Sequence, residues 1–303
     1  MPFPHVSTTS HMPSAAELCS GKSHRDENFP VASLLLAPGR RKPILAFYRF
    51  ARVADDVADH PTLAPEQKLA LLDRLEAGLD GAARQDPEVA DLKSVLAARG
   101  LSDDHARLLL QAFRQDATVN RYQSWLELMD YCAHSAMPVG RFVLDVHGEP
   151  RAARTASDAI CAALQIINHL QDCGQDYRQL DRVYIPLDLL AREGASVEDL
   201  GAASASPPLR KAIQNLAARA DQLLDTGEQL SAQVQDRHLA REIEVIIALA
   251  RNNVARLRVE DPLQGGGRTR KPQALLIAIA TLLRSLSQRT VAPDKRMADD
   301  TGA

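Results

Sequence analysis

The sequence predicts an all-helical protein built as a single domain, and three observations carry that expectation. Ala and Leu dominate a composition that is 45% apolar but only 4% aromatic, a mixture that favours helices over sheets. Apolar residues recur at helical spacing through most of the chain, with short breaks at Pro, Gly and Asp. No segment alternates with the period of a strand, and no fixed-period repeat is visible. At 303 residues the length allows one large domain or two small ones; the unbroken helical pattern favours one.

Residues 1–22 read as a disordered leader, 23–290 as the helical domain and 291–303 as a polar tail. In the domain, Pro43 suits an early helical position, and Ile44, Phe47, Tyr48 and Val53 give the following helix an apolar side that lasts until His60-Pro61. Leu69, Leu72, Leu75 and Leu79 mark a second helix, with Gly81 near its end. Ser102-Asp103-Asp104 caps a third, running through Leu108 and Phe113. Trp125 to Val146 forms a fourth, interrupted at Pro138 and Gly140. Thr155 to about Gln175 is a long helix with Ile160, Leu164, Ile167 and Leu170 inward. A less regular stretch, Asp181 to Leu200, precedes helices at Leu209–Gln233, His238–Val259 and Pro272 to about Leu286. Gly265-Gly266-Gly267 reads as a flexible hinge, because it lacks the Lys-Ser/Thr that completes a phosphate loop.

Composition removes several classes of function. A net charge of -3 gives no basic field for nucleic acid. Cys19, Cys132, Cys161 and Cys173 are scattered without C-x-x-C spacing, which points to neither zinc nor a disulfide framework and fits reduced thiols in the cytoplasm. The longest apolar run, Ala274 to Leu283, is far short of the roughly 18–20 residues that span a bilayer; peripheral membrane contact stays open.

Two polar stripes stand out. Asp55-Asp56-Val57-Ala58-Asp59 lies within a helix, so Asp55 and Asp59 stack on one face with Asp56 beside them. Arg52 and Tyr48 continue that face. Like charges about 4 Å apart cost roughly 4 kcal/mol at an effective dielectric near 20. An exposed helix end tolerates that; a buried face needs a cation, and an all-carboxylate set suits Mg²⁺ bridged to phosphate oxygens. Asn168, Asp172 and Asp176 form the second stripe, with Gln165 a turn earlier, on a helix otherwise rich in aliphatics. Buried polar residues of this kind require partners or a ligand. Arg178, Arg182 and Tyr184 follow directly, and Arg binds phosphate oxygens bidentately. An amphipathic surface helix would explain either stripe alone. Two on separate helices read as a metal clamp.

These residues resemble the squalene/phytoene synthase family over roughly Ser23 to Leu286. The anchors are Phe47 to Asp56, Tyr131-Cys132 through Val139-Gly140, and Gln165 to Pro186. The resemblance implies an isoprenoid-synthase helical bundle around a central apolar cavity, and a substrate that is a prenyl diphosphate. Carried over by position, Asp55, Asp56, Asp59, Asp172 and Asp176 correspond to Mg²⁺-diphosphate ligands. Arg52, Arg182, Tyr184, Gln165 and Asn168 would meet the diphosphate, and Tyr48, Arg52 and Tyr131 would act on the reacting groups. The branch resembled most is the bacterial hydroxysqualene synthases of hopanoid biosynthesis, on Glu27 to Pro30, Ser135 to Arg141 and Asn168 to Cys173. Gln171 stands where the family often has Arg, and Ala136-Met137 where Ala-Gly is usual.

That branch implies presqualene diphosphate as substrate, pyrophosphate as co-product, water capture of a cation and no NADPH. The cytoplasm is the expected location, with peripheral contact at the inner membrane left open for release of a lipid product. Glu27, His134 and Tyr131 are the candidates for positioning the water. Condensation of two prenyl diphosphates to presqualene diphosphate, squalene or phytoene is the alternative within the family; a non-catalytic assembly protein is the alternative outside it.

Overall fold

The structure, a computed structural model, describes residues 38–81 and 86–290, the last seven as backbone alone. The expected leader and tail, residues 23–37 of the expected domain, Cys19 and the Glu27–Pro30 segment lie outside the described residues. Twelve α-helices and no β-strand occur among the described residues, in agreement with the all-helical expectation.

The first, α1 (Pro38–Ala58), begins earlier than expected, so Pro43 falls inside it. Proline has no N–H for the carbonyl four residues back. That carbonyl belongs to Gly39 and accepts a hydrogen bond from Arg99 instead. After α2 (Pro65–Leu79) comes a helix that the apolar spacing did not reveal, α3 (Pro87–Arg99). Pro87 opens it and Gly100, at φ 62°, closes it, while Val89, Leu92, Val95 and Leu96 form its buried side. Its polar residues interleave so closely with these that the pattern is faint. In α4 (Asp104–Asp116), Ser102 rather than Asp103 accepts the Asp104 N–H, at 3.1 Å.

The expected fourth helix is two, α5 (Trp125–Ser135) and α6 (Met137–His147), divided at Ala136 just before Pro138. The central α7 (Arg154–Leu180) is longer than expected, at 27 residues. The irregular stretch contains α8 (Leu187–Glu193) and a short 3₁₀ turn at Glu198–Gly201. Pro207 and Ser206 start α9 (Pro207–Gly227), separated from α10 (Leu230–Gln233); α11 (Arg237–Val259) and α12 (Lys271–Thr290) complete the order.

The core has two lobes. One gathers α1 to α4, α6 and the first half of α11 around Phe50, Leu72, Leu110 and Phe142; Phe47 and Phe142 stack there at 4.1 Å. The other gathers α5, α7, α8, α9 and the end of α11 around Leu128, Ile166, Ile167 and Leu216. Leu164 of α7 packs against both. The helix α1 rests mainly on α3 and α4, whereas α7 rests on α9 and α6. The polar stripes of α1 and α7 are therefore free to face a common space. No helix among the described residues is long and apolar enough to cross a membrane.

Close approach of α9 to α7 depends on Gly227, where a Cβ would lie 2.3 Å from Ile160 Cγ1 and 3.1 Å from the Ala156 carbonyl. Overpacking of this kind costs about 1–3 kcal/mol. Gly227→Val should therefore lower the melting temperature by at least about 2 °C, measured by circular dichroism; an unchanged value would show that this contact relaxes freely.

Candidate active site

The end of α1 splits by chemistry. Phe47, Phe50, Val53, Ala54 and Val57 are buried in the core, leaving Tyr48, Arg52, Asp55 and Asp59 half-buried on the other side. Arg52 bridges Asp55 at 2.9 Å and Asp56 at 2.7 Å. Asp56 is itself buried, so it is the aspartate turned inward.

On α7, Gln165, Asn168, Asp172 and Asp176 are half-buried along one stripe. What brings this stripe to α1 is the way α7 stops. Asp181 adopts φ 52°, a left-handed cap that costs a residue with a Cβ some strain unless held. Arg121 at 2.6 Å and Asn120 at 3.2 Å grip its carboxylate. The chain then runs beside residues 120–123, with the Val183 N–H donating to the Asn120 carbonyl at 2.9 Å. This turn drives Arg182 into the protein, where it meets Asp59 at 2.5 Å and the Ala58 carbonyl at 3.0 Å.

The carboxylates feel one another across this space. Burial, reinforced by Asp172 and Asp59 and opposed by Arg182, lifts Asp176 to about 7. Asp55, a third exposed, is held well above the usual carboxylate range by burial and then by Asp59, with Arg52 opposing. Burial resists the charge on Arg182, but Tyr184, Asp116 and Asp59 outweigh it and keep the guanidinium protonated.

Beneath Arg182 lies a carboxylate absent from the sequence reading. Asp116, the last residue of α4, is 7% exposed. It accepts hydrogen bonds from the Tyr131 hydroxyl at 3.0 Å and the Tyr184 hydroxyl at 2.9 Å. Burial raises it to about 6, despite Arg182 and the two phenols. Tyr122 packs against both rings, at 5.2 and 5.6 Å. His169 stacks on Tyr184 at 3.5 Å and shares a hydrogen bond with Gln165 at 2.9 Å. Burial and then Arg182 push His169 down to about 3, so it is neutral.

Several expected residues have protein contacts of their own. Tyr184 is buried against Asp116, Gln165 is engaged with His169, and exposed Arg178 reaches toward the Leu200 carbonyl at 3.5 Å. His134 spends its ring Nδ1 on the Asp130 carbonyl. The glycine run is no loose hinge. The Gly267 N–H donates to Glu260 at 2.9 Å, its carbonyl accepts from Gln171 at 2.8 Å, and at φ 86° it has no room for a Cβ beside Leu257. That turn presents Arg268 to Asp172. The cation that Gln171 does not supply is thus supplied from another element. Asp116 and Arg268 carried no sequence signal of their own, since their partners are distant along the chain.

The donor set fits a hard divalent cation. Asp55, Asp59, Asp172 and Asp176 offer oxygen only, and their partial exposure leaves space for water. Among the described residues, no three His, Cys, Asp or Glu side chains converge to cage an ion by themselves. Ions here would need further oxygens, as Mg²⁺ does when it bridges one or two carboxylates to phosphate.

A helical bundle with opposed aspartate stripes, arginines between them and a phenol cluster below places the chain with the prenyl diphosphate-processing synthases. The chain belongs to the squalene/phytoene synthase family, whose model it matches over residues 22–273. It is 54% identical over 252 residues to the hydroxysqualene synthase of Rhodopseudomonas palustris, covering 83% of this chain and 86% of that one. With the hydroxysqualene synthase of Sinorhizobium fredii it shares 48% over 270 residues, 89% and 92% of the two chains. The crystal structure of squalene synthase HpnC from Alicyclobacillus acidocaldarius superposes with a TM-score of 0.67 at 31% identity, covering 80% of this chain and 90% of that one.

The raised acids predict a pH signature of the metal-free protein. Asp176 in the folded state keeps a proton between about 4 and 7 that the unfolded chain releases, so its contribution to stability is lost as pH rises through that window. His169 works oppositely below its ordinary value of 6.5, because folding keeps it neutral. The isolated effect is visible in the variant: Asp176→Asn should stabilise the chelator-treated protein more at pH 7.5 than at pH 5, by thermal unfolding. An effect that does not grow with pH would remove the proposed repulsion.

Proposed function

We propose that the chain is a hydroxysqualene synthase, converting presqualene diphosphate and water to hydroxysqualene and pyrophosphate. The observation that carries this reading is the meeting of the two aspartate stripes through Arg182 and Asp59, in a chain about half identical to proteins of that name.

In this reading Asp55, Asp59, Asp172 and Asp176 hold the ions, and Asp56, buried behind them on Arg52, fixes the first stripe. Mg²⁺ bound there would neutralise charge on the diphosphate oxygens. Arg52 and Arg182 turn from their aspartates to the diphosphate, and Asn168 and Tyr48 flank them on the two stripes. Stabilising the departing pyrophosphate with preorganised charge lets the cyclopropylcarbinyl carbon ionise. In this reading apolar walls keep bulk water from the cation. Capture by one water ends the reaction, which is redox-neutral and calls for no NADPH. The product is a water-insoluble alcohol. That property, with exposed Leu275, Leu276, Ile279 and Leu283 on α12, supports a cytoplasmic enzyme in peripheral contact with the inner membrane.

A second reading, condensation of two prenyl diphosphates, gains from one observation: Arg268 places a cation on Asp172 despite Gln171. Product analysis in ¹⁸O-labelled water separates the two. Presqualene diphosphate with Mg²⁺ should give labelled alcohol and pyrophosphate in equal amounts without NADPH; turnover of farnesyl diphosphate alone, or squalene formed only with NADPH, would defeat hydration. Asp55→Ala and Asp172→Ala should each lower turnover by at least about 100-fold, and normal turnover by either would defeat the clamp.

A further inference from the structure

Ionisation uses the aspartate stripes and their arginines; it leaves Asp116 and the phenols on it without a task. We propose that Asp116 is the terminal acceptor of the proton released when water captures the cation, reached through the hydroxyl of Tyr131 or Tyr184. This rests on the hydration reading above.

The geometry is that of a relay. Both hydroxyls donate to the one carboxylate, at 3.0 and 2.9 Å. Each phenol oxygen therefore has its own proton directed to Asp116; the two hydroxyls also interact with each other, and the lone pairs that remain can accept from a water. Both phenols are held well above their ordinary value, by burial and then by the Asp116 charge, so neither is a phenolate that would be a base alone. In the same ring cluster the buried Tyr122 hydroxyl has no hydrogen-bond partner among the described residues, and it feels the Asp116 charge. A buried hydroxyl left in this way is a place for a water.

The other bases nearby fail. His169 is neutral, but its ring Nε2 is taken by Gln165 and its basicity is suppressed. The His134 ring is bound to its own helix. The carboxylates of the stripes belong to the diphosphate side.

An acceptor must also be emptied between turnovers. Asp116 lines a cavity of about 440 Å³ together with Lys68, Thr118, Asn120, Gln179 and Arg182. Its polar wall gives the acid a route to solvent. The step then balances. The water oxygen forms a C–O bond with the cation and loses one proton to the phenol oxygen, while the phenol's own proton passes to Asp116. The carboxylic acid returns it to solvent through the cavity.

The test is the number of ¹⁸O-labelled hydroxysqualene molecules formed per pyrophosphate released from presqualene diphosphate. This ratio is taken per ionised substrate, so a fraction of unfolded enzyme does not alter it. In Asp116→Asn it should fall at least fivefold, the missing carbon skeletons appearing as olefins formed by proton loss from carbon or as alcohols substituted elsewhere. Tyr131→Phe and Tyr184→Phe retain the carboxylate and one phenol; the variant lacking the relaying phenol should lower the ratio, and they carry the test if Asp116→Asn does not fold. A wild-type ratio in all folded variants, even with slower turnover, would reduce Asp116 to a structural role and overturn the proposal. Failure of the wild-type enzyme to form alcohol at all would instead overturn the hydration reading.

Discussion

Carboxylates on α1 and α7 repel one another across a space too recessed for water to screen fully, and much of the surrounding structure answers that repulsion. Arg52 spans Asp55 and Asp56, Arg182 takes Asp59, and Arg268 takes Asp172. Asp176 has no arginine partner among the described residues, and burial, reinforced by Asp172 and Asp59, raises its proton affinity. Arginine suits this position because it stays charged when buried and can exchange a carboxylate for a phosphate without changing its geometry. The same guanidinium groups that offset the carboxylates are therefore equipped to meet an anionic ligand when cations displace them.

Holding charges in that tension demands backbone that does not yield. Asp181 is left-handed, yet both of its side-chain oxygens are tied to residues 120 and 121, and the following strand-like stretch is pinned to the same segment. Arg182 is thus delivered by a turn anchored on the far side. The Arg268 turn is built on the same plan, with Gly267 clasped by Glu260 and Gln171. In the site, the two arginines that reach an aspartate from another element, Arg182 and Arg268, come from stapled turns, whereas Arg52 comes from the face of α1.

This explains which parts of the site were legible from sequence. Asp55, Asp59, Asp172 and Asp176 share helical faces, and a period of 3.6 residues places such groups together without knowledge of the fold. The helices themselves were legible where a broad apolar face ran for several turns, as in α7, and missed in α3, where apolar and polar residues interleave closely. Asp116 was not legible. It is a lone acid closing a helix, and its partners lie 15 and 68 residues away. Arg268 was not legible for the same reason: it reaches Asp172 from 96 residues further along. Periodicity reports neighbours on one element, whereas chain-distant neighbours are set by packing.

Arg182 is where the two halves of the site meet. It grips Asp59 on the diphosphate side, lines the cavity beside Asp116, and counts Tyr184 and Asp116 among the groups that keep it charged. In the proposed reaction, Arg182 turning to a diphosphate would remove from Asp116 part of the positive field that holds its proton affinity down. The carboxylate then becomes a stronger base at the stage when the substrate is bound and a proton must soon be taken. Departure of pyrophosphate and return of Arg182 to Asp59 restore the field and favour release of that proton. In the proposed reaction a single guanidinium couples ionisation at one end of the site to proton acceptance at the other, so that the carbocation stays unquenched until one chosen water reaches it.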